Sequence, residues 1–579
     1  MKTQQWIWAG AALLVVTACA QTARQDASVT APTAPPRTSD AQAPAPASEA
    51  EVRSRAPMAL SKVERLQSAG AVADRMAYGM PLSMPMPAPP LSTDRERYAH
   101  FDDGGVLRVA ESPVSTFSID VDTGAYSNLR RFLREGRLPP QDAVRVEELI
   151  NYFDYGYAPP RDRETPFSVH TEVAPTPWND DTHLLRVGLQ GWQPPGALPP
   201  ANLVFLVDVS GSMHSRDKLP LVVSSLKLLV QQLGPDDRIS LVTYAGNAGV
   251  VLEPTAGDQT ATLNAALDRL QAGGGTNGAS GIELAYAMAR QGFVKDGINR
   301  VLLATDGDFN VGTVNFEQLT DLVAREREGG VGLSTLGFGT GNYNDQLMEQ
   351  LADRGNGSYH YIDGLAEARR ALVASRASTL YTIARDVKIQ VEFNPAVVAE
   401  YRLIGYENRA LNREDFANDR VDAGDIGAGH NVTALYEIAL VGSGGERIAP
   451  LRYGRPAVVG GDRELGHLRL RYKQPGETRS RLIETPIARQ QVQSSLAAAS
   501  ESFRFAAAVA AFGQQLRGGR YTGAFDTGAV LALARGARGD DADGWRGEFV
   551  QLVQLAASLT PTRADAGQQG ECGSDERCG

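Results

Sequence analysis

Between about residues 199 and 378, short apolar runs alternate with amphipathic helical segments, and this alternation restricts the fold more than any other sequence feature. The apolar runs are Leu203–Val207, Ile239–Tyr244, Val301–Ala304 and Val331–Phe338. A run that is apolar at nearly every position fits a strand buried on both faces, and helices between such strands imply parallel connections. The pattern therefore predicts an α/β domain over residues 199–378 with a doubly wound, mainly parallel sheet.

The segments on either side of this domain show the alternating pattern of β-strands. The pattern predicts an N-terminal α+β flanking domain over residues 96–198 and a β-rich, sandwich-like flanking domain over residues 379–490. Residues 491–579 predict a C-terminal helical region with a polar tail, which includes a helix at about 495–516. The flanks form either one sandwich into which the central domain is inserted or two separate modules. Contact between residues 167–193 and 385–487 would decide for the single sandwich.

The N-terminus carries the features of a secretory signal. Lys2 precedes the apolar run Trp6–Val16, which is too short to cross a hydrocarbon core of about 30 Å. The run ends in Val16-Thr17-Ala18-Cys19, which resembles a bacterial lipobox and implies a signal peptide over residues 1–19 and an acylated Cys19. A plain signal peptide with an incidental cysteine is the alternative. No Asp follows Cys19, which favours sorting to the outer membrane.

Residues 20–95 predict a disordered tether between this anchor and the folded part. Eleven of the 32 prolines fall between Pro32 and Pro90, among many Ala, Ser and Thr residues. Such a segment buries too little apolar surface to offset its backbone entropy, so it stays extended.

Composition excludes several classes of function. A net charge of −11 disfavours nucleic-acid binding, and seven His with three Cys argue against a zinc site. The loop Gly337–Gly341 lacks the Lys-Ser/Thr ending of a nucleotide-binding loop, so we expect no nucleotide.

Cys572 and Cys578 lie close together in the polar tail, and an oxidising compartment would allow a disulfide between them.

Five oxygen-bearing side chains form the candidate functional site. Asp208 and Asp306 each follow a predicted parallel strand, at the sheet edge where α/β proteins bind ligands. Ser210 and Ser212 lie just after Asp208, and Thr276 lies in the glycine-rich segment Gly273-Gly274-Gly275-Thr276-Asn277. Carboxylates and hydroxyls are hard donors that suit Mg²⁺ rather than soft metals.

The segments DVSGSM, GGGTN and TDGD, in this order and spacing, resemble the metal-ion-dependent adhesion site of a von Willebrand factor type A domain. The resemblance implies that Ser210, Ser212 and Thr276 ligate a divalent ion, Mg²⁺ or else Mn²⁺ or Ca²⁺, by their hydroxyls. It also implies that Asp208 and Asp306 hold the ion directly or through water, and that one coordination position stays open. Together with the lipobox, the flanks resemble a family of bacterial lipoproteins with such a domain at the centre.

The resulting expectation is a non-enzymatic lipoprotein of the cell envelope that binds a protein partner through an Asp or Glu carboxylate. One alternative is a structural scaffold in which the metal only stabilises the fold. Another is a metal-dependent hydrolase, which is disfavoured because the sequence indicates no general base. Ser210-Gly211-Ser212 also lacks the G-x-S-x-G pattern of a serine hydrolase.

Overall fold

The computed structural model describes residues 95–308, 316–449, 451–452 and 461–560. The predicted signal peptide with Cys19, nearly all of the predicted tether, and the tail with Cys572 and Cys578 lie outside the described residues. The lipid anchor and the disulfide therefore stay predictions. Within the described ranges, no helix has the length and apolar character needed to span a membrane.

The elements follow the three-part organisation of the chain. The N-terminal part contains β1 Leu107–Arg108, β2 Val114–Ser118, α1 Gly124–Arg134, α2 Val146–Asn151, β3 Phe167–Thr176 and β4 Asn179–Gly191. The central part contains β5 Ala201–Asp208, α3 Leu219–Val230, β6 Arg238–Tyr244, β7 Ala248–Ala256, α4 Thr260–Asp268, α5 Gly278–Gln291, β8 Ile298–Thr305, α6 Phe316–Glu328, β9 Gly332–Phe338, α7 Asp345–Arg354, β10 Tyr359–Ile362, α8 Leu365–Arg369 and α9 Arg376–Leu380. The C-terminal part contains β11 Thr382–Phe393, β12 Val398–Ile404, β13 Ile426–Gly427, β14 Asn431–Leu440, β15 Glu464–Lys473, β16 Arg481–Ala488, α10 Glu501–Leu516, α11 Thr527–Gly536 and α12 Trp545–Leu559.

The central domain is built on a six-stranded sheet with the order β10-β9-β8-β5-β6-β7. All neighbours in this sheet are parallel except β7, which runs antiparallel to β6 at the edge. In β5, Phe205 and Val207 face one hydrophobic core, while Val204 and Leu206 face the core on the opposite side of the sheet. The predicted doubly wound, mainly parallel fold is confirmed, and the near-continuous apolar strands follow from burial on both faces.

The two flanks form one β-sandwich. One sheet has the order β1-β12-β14-β4-β3, and the other has the order β13-β11-β15-β16, with β2 also paired to β11. Strand β4 pairs with β14, and β2 pairs with β11, so each sheet contains strands from both sides of the central domain. The contact that the single-sandwich hypothesis requires is therefore present. The predicted domain boundaries themselves stay predictions.

The C-terminal helices pack on α1 and α2, on the outer side of the sandwich. Phe549 of α12 contacts the rings of Phe153, Phe505 and Phe512 at centroid distances of 5.7, 5.4 and 5.5 Å. The long helix begins at Glu501, six residues later than the predicted start at about 495. The reason is local: the Ser500 hydroxyl accepts a hydrogen bond from Phe503 N and caps the helix there.

A buried arginine joins three parts of the molecule. Arg130 of α1 lies 2.5 Å from Asp363, 2.8 Å from Glu367 and 3.0 Å from Glu548, measured between side-chain nitrogen and oxygen atoms. Asp363 and Glu367 follow the last central strand, whereas Glu548 lies in α12. Its neighbour Arg134 contacts Asp363 and Glu548 as well, but the Arg134 side chain is 54% exposed and that of Arg130 only 3%.

Candidate metal centre

The candidate site lies at the carboxyl ends of two adjacent parallel strands. Strand β5 ends at Asp208, and Asp306 directly follows β8, which pairs with β5. Both carboxylates are fully buried, so the fold holds two negative groups together beneath the surface of this edge. Buried carboxylates in proximity are stable only with protons, hydrogen bonds or a cation.

Hydrogen bonds fix the Asp208 carboxylate. Its Oδ1 accepts from Ser210 N at 2.8 Å, and its Oδ2 accepts from the hydroxyls of Thr305 at 2.9 Å and Tyr244 at 3.1 Å. Burial raises the pKa of Asp208, and the charge of Asp306 acts in the same direction, while the hydrogen bonds from Ser210 oppose it. A cation at this edge would relieve the repulsion between the two carboxylates.

The predicted hydroxyl ligands lie in two loops that are bound to each other. The hydroxyl oxygens of Ser210 and Ser212 are 3.1 Å apart. The loop that carries Ser210 and Ser212 and the glycine-rich loop Gly273–Asn277 are joined by two backbone hydrogen bonds, from Gly211 N to Gly274 O and from Gly273 N to Val209 O. Thr276 is half-buried in the second of these loops.

Asp306 is held by two residues that sequence reasoning missed. Its Oδ2 accepts from Lys218 Nζ at 2.9 Å and from Asn342 Nδ2 at 3.1 Å, and its Oδ1 accepts from Asp308 N at 3.1 Å. Lys218 Nζ also donates to Asn342 Oδ1 at 2.9 Å. Lys218 directly precedes the buried helix α3, and a charged residue at that place was the available signal. Asn342 directly follows the loop Gly337–Gly341.

The donor set fits a small hard cation. It offers two carboxylates and three hydroxyls from loops that the strand ends and backbone hydrogen bonds hold in place. Within the described ranges, no three His, Cys, Asp or Glu side chains lie together so that they could hold a metal, and the candidate site combines its two carboxylates with hydroxyls. Because protein donors already bind both Asp306 oxygens, the hydroxyl oxygens are the donors most available for direct ligation.

Comparison with known proteins identifies the family. Three family models match: "von Willebrand factor" over residues 92–186, "von Willebrand factor type A domain" over residues 202–369, and "Uncharacterized protein YfbK, C-terminal" over residues 378–559. "Uncharacterized protein YfbK" of Escherichia coli K12 is 48% identical over 474 residues, which cover 80% of this chain and 81% of that relative. The chain belongs to the YfbK family. The central part of this YfbK-family chain is a von Willebrand factor type A domain, as the sequence motifs predicted.

More distant similarities concern shorter parts of the chain. "Uncharacterized protein sll0103" of Synechocystis is 26% identical and covers 50% of this YfbK-family chain and 65% of its own length. "Inter alpha-trypsin inhibitor, heavy chain 4" of mouse is 28% identical and covers 26% of this chain and 17% of its own length. Among solved structures, "von Willebrand factor type A from Catenulispora acidiphila" has 17% identity and a TM-score of 0.39, covering 67% of this chain and 89% of its own.

Proposed function

We propose that this protein binds a protein partner through a divalent metal ion held by Asp208, Ser210, Ser212, Thr276 and Asp306, without catalysing a reaction. Two buried carboxylates lie beside a pair of serine hydroxyls at the carboxyl edge of the type A domain, and this arrangement supports metal binding there. A bound cation would supply a positive centre that accepts an oxygen atom from an Asp or Glu of the partner.

The site is accessible to a macromolecule. Ser212 is exposed, and so is the backbone of Gly273, Gly274 and Gly275 in the adjoining loop. Glycines without side chains leave room for a partner to approach the edge closely. Asp208 and Asp306 lie beneath this surface and set its charge, while the hydroxyls above them orient the ion.

Two features of the site favour binding over hydrolysis. The hydrogen-bond partners of the Asp208 and Asp306 carboxylates, as far as the described residues go, are hydroxyls, amides and an ammonium, none of which is a base poised to activate water. The edge is also exposed to solvent at Ser212 and at Gly273–Gly275.

We further propose that the protein acts in the cell envelope, anchored through Cys19 and sorted to the outer membrane.

Metal binding is tested first, by thermal unfolding of the full chain with and without Mg²⁺ or Mn²⁺. We expect millimolar metal to raise the unfolding temperature of the native protein and to leave Asp208→Ala unchanged. Asp217→Ala is the matched control, because Asp217 is a carboxylate near the site that binds Ser215 instead. An unfolding temperature that metal does not change in the native protein would contradict the proposal.

Partner binding is tested by capture from envelope extracts in Mg²⁺ or in chelator, with Ser212→Ala as the variant that removes one exposed hydroxyl. We expect a protein that is captured only in Mg²⁺ and only by chains with the intact site. The same proteins captured in both conditions, together with a metal-dependent rise in unfolding temperature, would instead support the scaffold alternative.

A further inference from the structure

Lys218 is a buried cation in direct contact with the candidate metal centre. It is 6% exposed, and its Nζ lies 2.9 Å from Asp306 Oδ2 and 2.9 Å from Asn342 Oδ1. None of the five predicted ligands is basic, and Lys218 supplies a positive group to this edge through its ion pair with Asp306. It balances one of the two buried negative charges before any metal arrives.

The fold holds Lys218 in a fixed slot. Gly339 has φ +76°, and a Cβ at that position would lie 2.4 Å from the Cγ and Cε atoms of Lys218. The loop after Gly339 is itself secured, because Arg95 N donates to Gly341 O and Arg97 N donates to Tyr343 O, each at 2.9 Å. The lysine stem therefore packs against a loop that backbone hydrogen bonds hold in place, and its ammonium lies beside Asp306.

The fixed positive charge of Lys218 changes the net charge of the metal centre. With Lys218 present, the carboxylates of Asp208 and Asp306 and the ammonium carry a net charge of about −1 when the groups are ionised. A divalent ion brings the centre to about +1, whereas without the lysine the same ion would give a neutral centre. At an effective dielectric of about 20, a unit charge several ångströms from a dication alters its binding constant by at least about tenfold.

We infer that Lys218 weakens binding of the metal alone and makes tight metal binding depend on a carboxylate from the partner. The partner's negative charge neutralises the surplus positive charge that the lysine leaves on the metal-loaded centre. Metal and partner then bind cooperatively, and each raises the affinity of the other by the same factor. This inference rests on the proposed function, because it concerns the same metal and the same open coordination position.

The test measures Mn²⁺ binding to the full chain by electron paramagnetic resonance, in sodium chloride and in sodium acetate at equal ionic strength. Acetate serves as the probe for a partner carboxylate. The variants are Lys218→Met, which keeps most of the stem without the charge, and Lys218→Gln, a second neutral variant that can still donate to Asp306. Lys218→Arg retains the charge.

In chloride, we expect both neutral variants to bind Mn²⁺ at least about tenfold more tightly than the native protein and Lys218→Arg. Acetate should strengthen Mn²⁺ binding severalfold in the native protein and much less in the neutral variants. Thermal unfolding provides a second readout: Lys218→Met should unfold at a lower temperature without metal, and Mn²⁺ should raise that temperature more than it does in the native protein.

The outcomes separate this inference from the proposed function. If Lys218→Met and Lys218→Gln bind Mn²⁺ equally or more weakly than the native protein, Lys218 only positions Asp306 and the inference is wrong, while the metal site stands. Asn342→Ala removes a neutral donor to Asp306, so an effect on metal affinity as large as that of Lys218→Met would also overturn the charge argument. If no variant binds Mn²⁺ in either salt, the proposed function fails together with the inference.

Discussion

Replacing Arg130 by Met should weaken the junction between α1, the end of the central domain and α12. The substitution keeps an unbranched stem and removes the guanidinium that contacts Asp363, Glu367 and Glu548. Breaking a buried ion pair on one side typically costs about 3–5 kcal/mol, because the partner is left charged and buried.

The remaining partners place the cost at the lower end of this range. Burial works to raise the pKa of Glu367, but the charges of Arg370 and Arg130 together lower this pKa below its ordinary value. In the variant, Arg370 and the Tyr152 hydroxyl would still contact the Glu367 carboxylate. Of the ion-pair partners of Asp363 among the described residues, the variant would keep Arg134, at 3.8 Å. We therefore expect a loss of about 3 kcal/mol in local stability, which is close to a hundredfold in the opening equilibrium.

Hydrogen-exchange mass spectrometry measures this loss where it occurs. Amides of α1 and α12 that exchange through opening of this junction should exchange about a hundredfold faster in Arg130→Met than in the native protein. Arg134→Met is the matched control: it contacts the same two carboxylates Asp363 and Glu548, but as an exposed group it should cost below about 1 kcal/mol.

The pH dependence gives a second check of the same reasoning. Burial raises the pKa of Asp363, and the charge of Arg130 opposes this, so the pKa should rise further in the variant. A carboxyl group whose pKa is raised in the folded state makes the protein less stable as the pH rises from the unfolded-state pKa to the folded-state pKa. The difference between variant and native protein should therefore shrink towards pH 5. Equal exchange in the two arginine variants, or a difference independent of pH, would refute the argument.

Two further predictions follow from buried groups elsewhere. Burial, reinforced by Glu407 and Asp120, raises the pKa of Glu147 to about 8, so folded stability should fall as pH rises from about 4.5 to 8. In urea unfolding, Glu147→Gln should be more stable than the native protein at pH 8 and similar at pH 5; a larger advantage at pH 5 would contradict this. Gly124→Ala should destabilise by about 1–3 kcal/mol, because its Cβ would lie 2.2 Å from the Tyr359 ring, whereas Gly105→Ala, with nothing within 4 Å, should be neutral.

Much of the central domain could be predicted because its strands are buried on both faces. The apolar runs in β5, β8 and β9 leave little choice of conformation, and the motif at the end of β5 marks the site directly. Strand β7 was missed, since an edge strand is only half-buried and its pattern is weak.

The parts that could not be predicted depend on contacts between distant segments. Lys218 carries only the weak signal of a charged residue before an apolar helix, and Asn342 carries none. Only the tertiary structure brings both of them to Asp306. The pairing of β4 with β14 likewise joins segments on opposite sides of the central domain, for which periodicity contains no information. The local sequence pattern therefore identifies strands, helices and contiguous motifs. The balance of charges at the site depends instead on residues that only the tertiary structure brings together.

The insertion of the central domain into the sandwich also has a consequence for the order of folding. During synthesis, β2 and β4 emerge long before their partners β11 and β14, so their pairing edges stay unpaired and are open to misassociation. The two ends of the insert lie beside the same segment in the finished protein, because Ala428 N donates to Tyr381 O and Gly429 N donates to Trp192 O. A central domain that folds early would bring these ends together and shorten the chain loop that sandwich assembly must close. Mutations that slow folding of the insert should therefore increase aggregation of the nascent chain even where they leave the final stability unchanged.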